Sequence, residues 1–206
     1  AAAAQDTAGN DNTAATQLSI TNDETAPGVT LSTASSDPVS GAFTLDVVFS
    51  ETVTGFAIGD LTVGNGAASA FAGSGDTYSV TITPSADGAV TVDLAAAAAQ
   101  DSAGNDNTAA TQFSITSDST LPSVVLSTSE TDPVSGAFTL DVVFSESVTG
   151  FAIGDLTVGN GAASDLTGSG SDYSVTITPA ADGDVTVDLA AGAAEDVAGN
   201  ANLAAT

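Results

Sequence analysis

Phe43, Leu45, Val47 and Phe49 alternate with Thr44 and Asp46; Tyr78, Val80 and Ile82 alternate with Ser79, Thr81 and Thr83; Val90, Val92 and Leu94 alternate with Thr91 and Asp93. A period of two sends successive side chains to opposite faces of an extended chain, so each segment reads as a strand with one face in a core. Residues 29–33, 61–63, 67–71 and 112–116 predict further strands. Asn65-Gly66 is the best hairpin turn, and Ala86-Asp87-Gly88 is a second candidate. Seven short strands in fewer than a hundred residues predict a β-sandwich. The same period makes the Phe and Tyr positions core residues rather than a ligand-binding stripe. The alanine run at residues 95–99 is the one helical candidate; it is too short to stand alone and predicts a single turn leading into the next loop.

The pattern then repeats. Asp6, Asp101 and Asp196 are spaced 95 residues apart, as are Pro27 and Pro122, Phe43 and Phe138, and Glu51 and Glu146. Residues 17–111 and 112–206 align without a gap and are roughly three-quarters identical, with differences gathered in turn-like stretches. The predicted organisation is a linear array of tandem sandwiches: residues 1–22 carry the last loop and strand of a preceding repeat, residues 23–117 form one repeat, and residues 118–206 form a second that lacks its last strand. This phase is expected of a window cut from a longer array. An alternative is that the N-terminal segment of one molecule completes the open last domain of another by strand donation.

Charge narrows the function. The chain has 26 acidic residues and no Lys, Arg or His, a formal net charge of −26. Nucleic acid and anionic membrane surfaces are excluded as direct partners, because both are bound through Lys and Arg. No apolar run approaches the about 18 residues of a membrane span. With no Cys there are no disulfides, and a structural metal is the usual substitute staple for a small domain.

Taken in order, Asp37-Pro-Val-Ser-Gly-Ala-Phe-Thr-Leu, Phe49-Ser-Glu, Val53-Thr-Gly-Phe, Tyr78-Ser-Val-Thr-Ile-Thr-Pro and Asp101-Ser-Ala-Gly-Asn resemble the bacterial Ig-like domains found in tandem in large surface adhesins. The resemblance runs through both copies. It implies an all-β array of seven-stranded Ig-like sandwiches, an extracellular or cell-surface location, and calcium ions that stiffen the junctions between domains.

Strand direction shows which acids can meet. If the first strand runs away from the linker, the loop containing Glu51, the strand start at Asp60 and the loop at residues 101–107 all return to the linker pole, where Asp23 and Glu24 also lie. The candidate metal ligands are therefore Asp23, Glu51, Asp60, Asp101 and Asn105 in one copy and Asp118, Glu146, Asp155, Asp196 and Asn200 in the next. Calcium takes six to eight hard oxygens from such groups, and converging carboxylates without a basic partner repel unless a cation lies between them. The simpler alternative is that Asp101-Ser-Ala-Gly-Asn is only a turn, with Gly104 left-handed and Asp101 bonding its own backbone.

Catalysis is disfavoured, since only carboxylates, Ser, Thr and Tyr are present and no Trp platform exists for a sugar ring; a Glu51–Asp101 glycosidase pair is the one arrangement to test. The loops at residues 70–77 and 165–172 differ between copies, but beyond Phe71, which ends the strand predicted at residues 67–71, they are small and polar and lack aromatic anchors for a binding module. The reading that remains is a non-enzymatic structural repeat. It is either an adhesin stalk or a self-assembling filament or surface-layer matrix, with neighbouring repeats, identical molecules and divalent cations as partners.

Overall fold

A computed structural model describes residues 4–205. The first repeat contains β1 (Val29–Ser32), β2 (Phe43–Val53), β3 (Leu61–Gly64), β4 (Gly66–Pro84), β5 (Gly88–Leu94) and β6 (Phe113–Ser117). One sheet has the order β1-β2-β4 and the other β3-β5-β6, with every pairing antiparallel. The second repeat contains β7 (Val124–Ser127), β8 (Phe138–Val148), β9 (Leu156–Gly159), β10 (Gly161–Pro179) and β11 (Thr186–Leu189), in sheets β10-β8-β7 and β11-β9.

The two predicted strands at residues 67–71 and 78–82 are the legs of β4, which doubles back on itself. Gly66 lies against the backbone of Thr83 and Pro84, and Ser69 Oγ donates to the Thr81 carbonyl. At the fold of the hairpin, Gly73 (φ 109°) presses on the Thr77 backbone so closely that no Cβ fits. Counting the legs separately gives the seven strands that the alternation predicts. The alanine run forms no helical turn: Ala97 is left-handed (φ 62°), and the loop is held from within by Asn107. Propensity loses here because buried side-chain hydrogen bonds supply what a five-residue helix cannot.

Alternation alone places the core. Leu45, Val47, Val80, Ile82, Val90 and Val92 are fully buried, and Phe49, Phe56, Phe71 and Tyr78 pack edge-on or stacked with centroids 5.0–6.0 Å apart. The third strand of the second sheet closes one side of this core: Ile115 of β6 is buried, and Phe113 packs 6.0 Å from Phe43. The segment Gln17–Leu18–Ser19–Ile20–Thr21, which the repeat equates with β6, has no regular secondary structure, and Leu18 and Ile20 are each 81% exposed.

Ile115→Ala is expected to cost about 2–5 kcal/mol, the usual range for a buried aliphatic truncation. Calorimetry should then show the first sandwich melting earlier while the second is unchanged. Ile20→Ala in dilute protein should leave both transitions where they are.

Candidate metal centre

At the pole where each linker enters, the loop after β5 is built by one repeated device. Asp101 Oδ1 accepts from the backbone N–H groups of Ala103 and Asn105 at 2.8 and 2.9 Å, while Oδ2 accepts from Asn105 Nδ2 at 2.8 Å. Gly104 is left-handed (φ 93°), which a type of turn closed in this way requires. Beneath it lies Asn107, 2% exposed, whose Oδ1 accepts from Ala98 and Ala99 and whose Nδ2 donates to the carbonyls of Ala95 and Thr108. Asn202 repeats this arrangement by accepting from Ala194 and donating to Ala190 and Leu203.

Asp6 supplies an internal control. Its carboxylate accepts from Ala8, Asn10 and the Asn10 side chain at 2.8–2.9 Å, the geometry of Asp101, although its loop packs on no sandwich of its own. The turn is therefore locally encoded, and its shape alone implies no ion. Residues 101 and 196 differ in what approaches them. Asp23, Glu51 and Asp101 each place a carboxylate oxygen within 4.8 Å of the others, and Asp118, Glu146 and Asp196 do the same in the second repeat. Two oxygens bound at about 2.4 Å from one calcium ion are at most about 4.8 Å apart, so each trio fits around a single ion of that kind. A chain with no Lys, Arg or His has no side chain to take the ion's place.

The electrostatics show the strain. Partial burial pushes the Glu51 carboxyl above the ordinary glutamate range, and the charges of Asp101 and Asp23 push it further. Burial likewise raises Glu146, with Asp196, Asp118 and Asp87 adding to it. Asp101 moves the other way, because the Asn105 side chain and the loop N–H groups favour its charged form.

Six of the ten residues proposed from sequence are thus the carboxylates of these two trios. Asn105 and Asn200 orient them: each donates to the loop carboxylate and to a linker carbonyl, Asn105 to Asp23 at 3.1 Å and Asn200 to Asp118 at 2.8 Å. Asp60 and Asp155 stand outside the trios. Each accepts the backbone N–H three residues earlier, from Ala57 and Ala152, and closes a short 3-10 turn at Ile58–Asp60 or Ile153–Asp155.

Sequence reasoning treated Asp87 only as a turn residue. Its carboxylate accepts from Ser119 N and Oγ at 2.7 Å and from Thr120 Oγ1 at 2.6 Å, clasping the linker to the first sandwich. Those hydrogen bonds hold the Asp87 carboxyl below its ordinary range. Linker residues 118–120 are thereby tied to Asp87 on one side and to Asn200 on the other. The signal available was the recurrence of this acid as Asp182 at the pole opposite the metal loops.

A carboxyl raised by folding stabilises the native state below its unfolded pKa, and that contribution is lost as pH rises through the folded value. In chelator, melting temperature should therefore fall as pH rises through a window just above the ordinary glutamate range. The combined Glu51→Gln and Glu146→Gln variant should lose this step and melt above the parent at neutral pH. Asn107→Ala is expected to cost about 2–4 kcal/mol through stranded buried loop groups, measured by denaturant titration.

No curated protein sequence matches the chain. Among solved structures, the chain is similar to invasin, a bacterial integrin-binding protein, at 18% identity and a TM-score of 0.39, covering 78% of this chain and 36% of invasin's. The model of the family described as bacterial Ig-like domain matches residues 23–116 and again residues 118–206. With both repeats matched nearly end to end, the chain belongs to the bacterial Ig-like domain family as a tandem pair.

Proposed function

We propose that this chain is a structural spacer of an extracellular, cell-surface adhesin, in which calcium held at each linker pole stiffens the joint between successive sandwiches. The observation that carries the reading is the composition of each trio: one acid from the linker (Asp23 or Asp118) and two from the sandwich it enters. An ion shared by these three fixes where the linker lies on that sandwich. At the second joint, Asp87 ties the same linker to the preceding sandwich, so an ion there restricts the angle between two domains.

The donor set supports calcium over softer metals, since it offers carboxylate oxygens and neither imidazole nor thiolate. The tandem bacterial Ig-like domains support the spacer role, and near-identical copies suit a part in which length matters more than individual surfaces. An all-acidic surface keeps such a spacer from anionic membranes and nucleic acid.

Calcium at about a hundred times its dissociation constant should stabilise each sandwich by about 2.7 kcal/mol, roughly 10–20 °C in melting temperature. It should also narrow the distribution of interdomain angles seen by small-angle scattering. Glu146→Gln should remove the calcium increment from the second sandwich and leave that of the first. Melting curves and scattering profiles identical in chelator and in millimolar calcium would overturn the reading.

A further inference from the structure

We propose that the second sandwich carries, along β7, a docking face for a segment of a separate, basic protein, one that sets aliphatic side chains beside lysine or arginine. The inference goes beyond the spacer role and is independent of the calcium reading.

The face shows in what the two copies do not share. Aligned at 95 residues, the second copy puts Leu or Val over a small or polar residue at Leu121 (Ala26), Val125 (Thr30), Val197 (Ser102) and Leu203 (Thr108) and nowhere else. These four side chains are 45–75% exposed with the preceding sandwich in place. Two acids leave the same region, because Ser119 and Ala201 stand where the first copy has Glu24 and Asp106. Apolar residues scattered over a surface are ordinary, whereas a gain confined to one region points to a contact. The fold itself leaves these positions open: in the first sandwich, where β6 pairs with β5, Ala26, Thr30 and Thr108 are exposed as well.

Geometry gathers the gained residues. Burial alternates from Leu121 to Val125, with Pro122 and Val124 inside, so Leu121, Ser123 and Val125 share the outer side of one extended segment about 13 Å long. Val125 sits directly opposite Val143 of β8, itself 38% exposed, and Val143 is opposite Asp172 of β10. The corresponding row of the first sandwich is Thr30, Val48 and Thr77. At the other end, the Leu203 N–H donates to the Pro122 carbonyl at 2.8 Å, which places Leu203 beside Leu121. Val197 stands on the loop that Asn200 ties to Asp118.

Charge selects the partner. Two residues along β8 from Val143, Asp141 lies between Ser127 and Ser174, so the valine pair is bordered by Asp141 and Asp172. A second copy of this chain has no Lys, Arg or His to answer these acids and brings a net charge of −26 of its own. A basic segment answers both needs: its aliphatic side chains cover Val125 and Val143 while its Lys or Arg pairs with Asp141 and Asp172.

The probe is an amphipathic leucine–lysine peptide, titrated at physiological ionic strength beside a lysine-only peptide of equal charge and a leucine–glutamate peptide. The leucine–lysine peptide should bind most tightly and shift the amide signals of Leu121, Val125 and Val143 but not those of Ala26, Thr30 and Val48. The Leu121→Ala/Val125→Thr/Leu203→Thr variant carries the first copy's residues and an unchanged net charge. It should melt like the parent and bind the leucine–lysine peptide about tenfold or more weakly. Conversely, Ala26→Leu/Thr30→Val/Thr77→Asp/Thr108→Leu should add a second binding equivalent on the first sandwich, and no added site would overturn the proposal. Equal binding by the parent and the first variant would also overturn it, reducing the attraction to net charge. Leucine–glutamate binding as tight as leucine–lysine would refute a basic partner. Mass that rises with concentration in light scattering of the parent but not of the first variant would assign the face instead to contact between copies.

Discussion

A carboxylate in this protein has no side-chain cation to turn to, and most of the local architecture follows from that constraint. Among the described residues every buried side-chain polar atom has a hydrogen-bond partner, so the sandwiches are not short of hydrogen bonds. Acids that make structure do so by collecting neutral donors: Asp101 and Asp196 collect loop N–H groups and an Asn amide, Asp87 collects two hydroxyls and an N–H, and Asp60 collects one N–H. Such bonds to an ionised acceptor are stronger than neutral ones, which lets a loop without regular secondary structure hold a defined shape. Glu51 and Glu146 have no comparable set of donors and face other acids instead, and they are where the charge conflict collects.

The sandwich was legible because its determinants are binary. Alternating apolar positions on β2, β4 and β5 identify the buried face without reference to distant residues, and an uninterrupted 95-residue copy repeats the assignment. The convergence of Asp23, Glu51 and Asp101 was legible by a coarser route, since antiparallel strands return loops to alternate poles. That route could not separate Asp60 from the trio. It places a residue at a pole but not the direction of its side chain, and a short 3-10 turn claims the Asp60 carboxylate. Nor could it find Asp87, whose partners are 32 and 33 residues away on the linker of the next domain. The alanine run misled for a similar reason: three of the hydrogen bonds made by the Asn107 side chain reach back across the loop to Ala95, Ala98 and Ala99, and they outweigh helical propensity at residues 95–99.

Repetition also separates intrinsic from contextual structure inside one molecule. The Asp6 loop reproduces the Asp101 turn away from any sandwich, so the turn belongs to the local sequence. The segment at residues 17–21 does not reproduce β6, although nearly the same residues are present, so that strand belongs to its partner edge. A loop closed by its own carboxylate thus adjoins a strand that depends on its β5 partner for its conformation.

The course of the backbone through a sandwich has a mechanical consequence. The chain enters on β1 at the pole of Glu51 and leaves on β6 at the pole of Asp87, with both strands lying along the line between the linkers. Tension on the ends would slide these strands past their neighbours, loading the ladder bonds of each pair together in shear rather than peeling them one at a time. A sandwich that yielded would release roughly 300 Å of chain, at about 3.3 Å for each of its residues, and each repeat can thus act as a stiff element at low force and a reserve of length at high force.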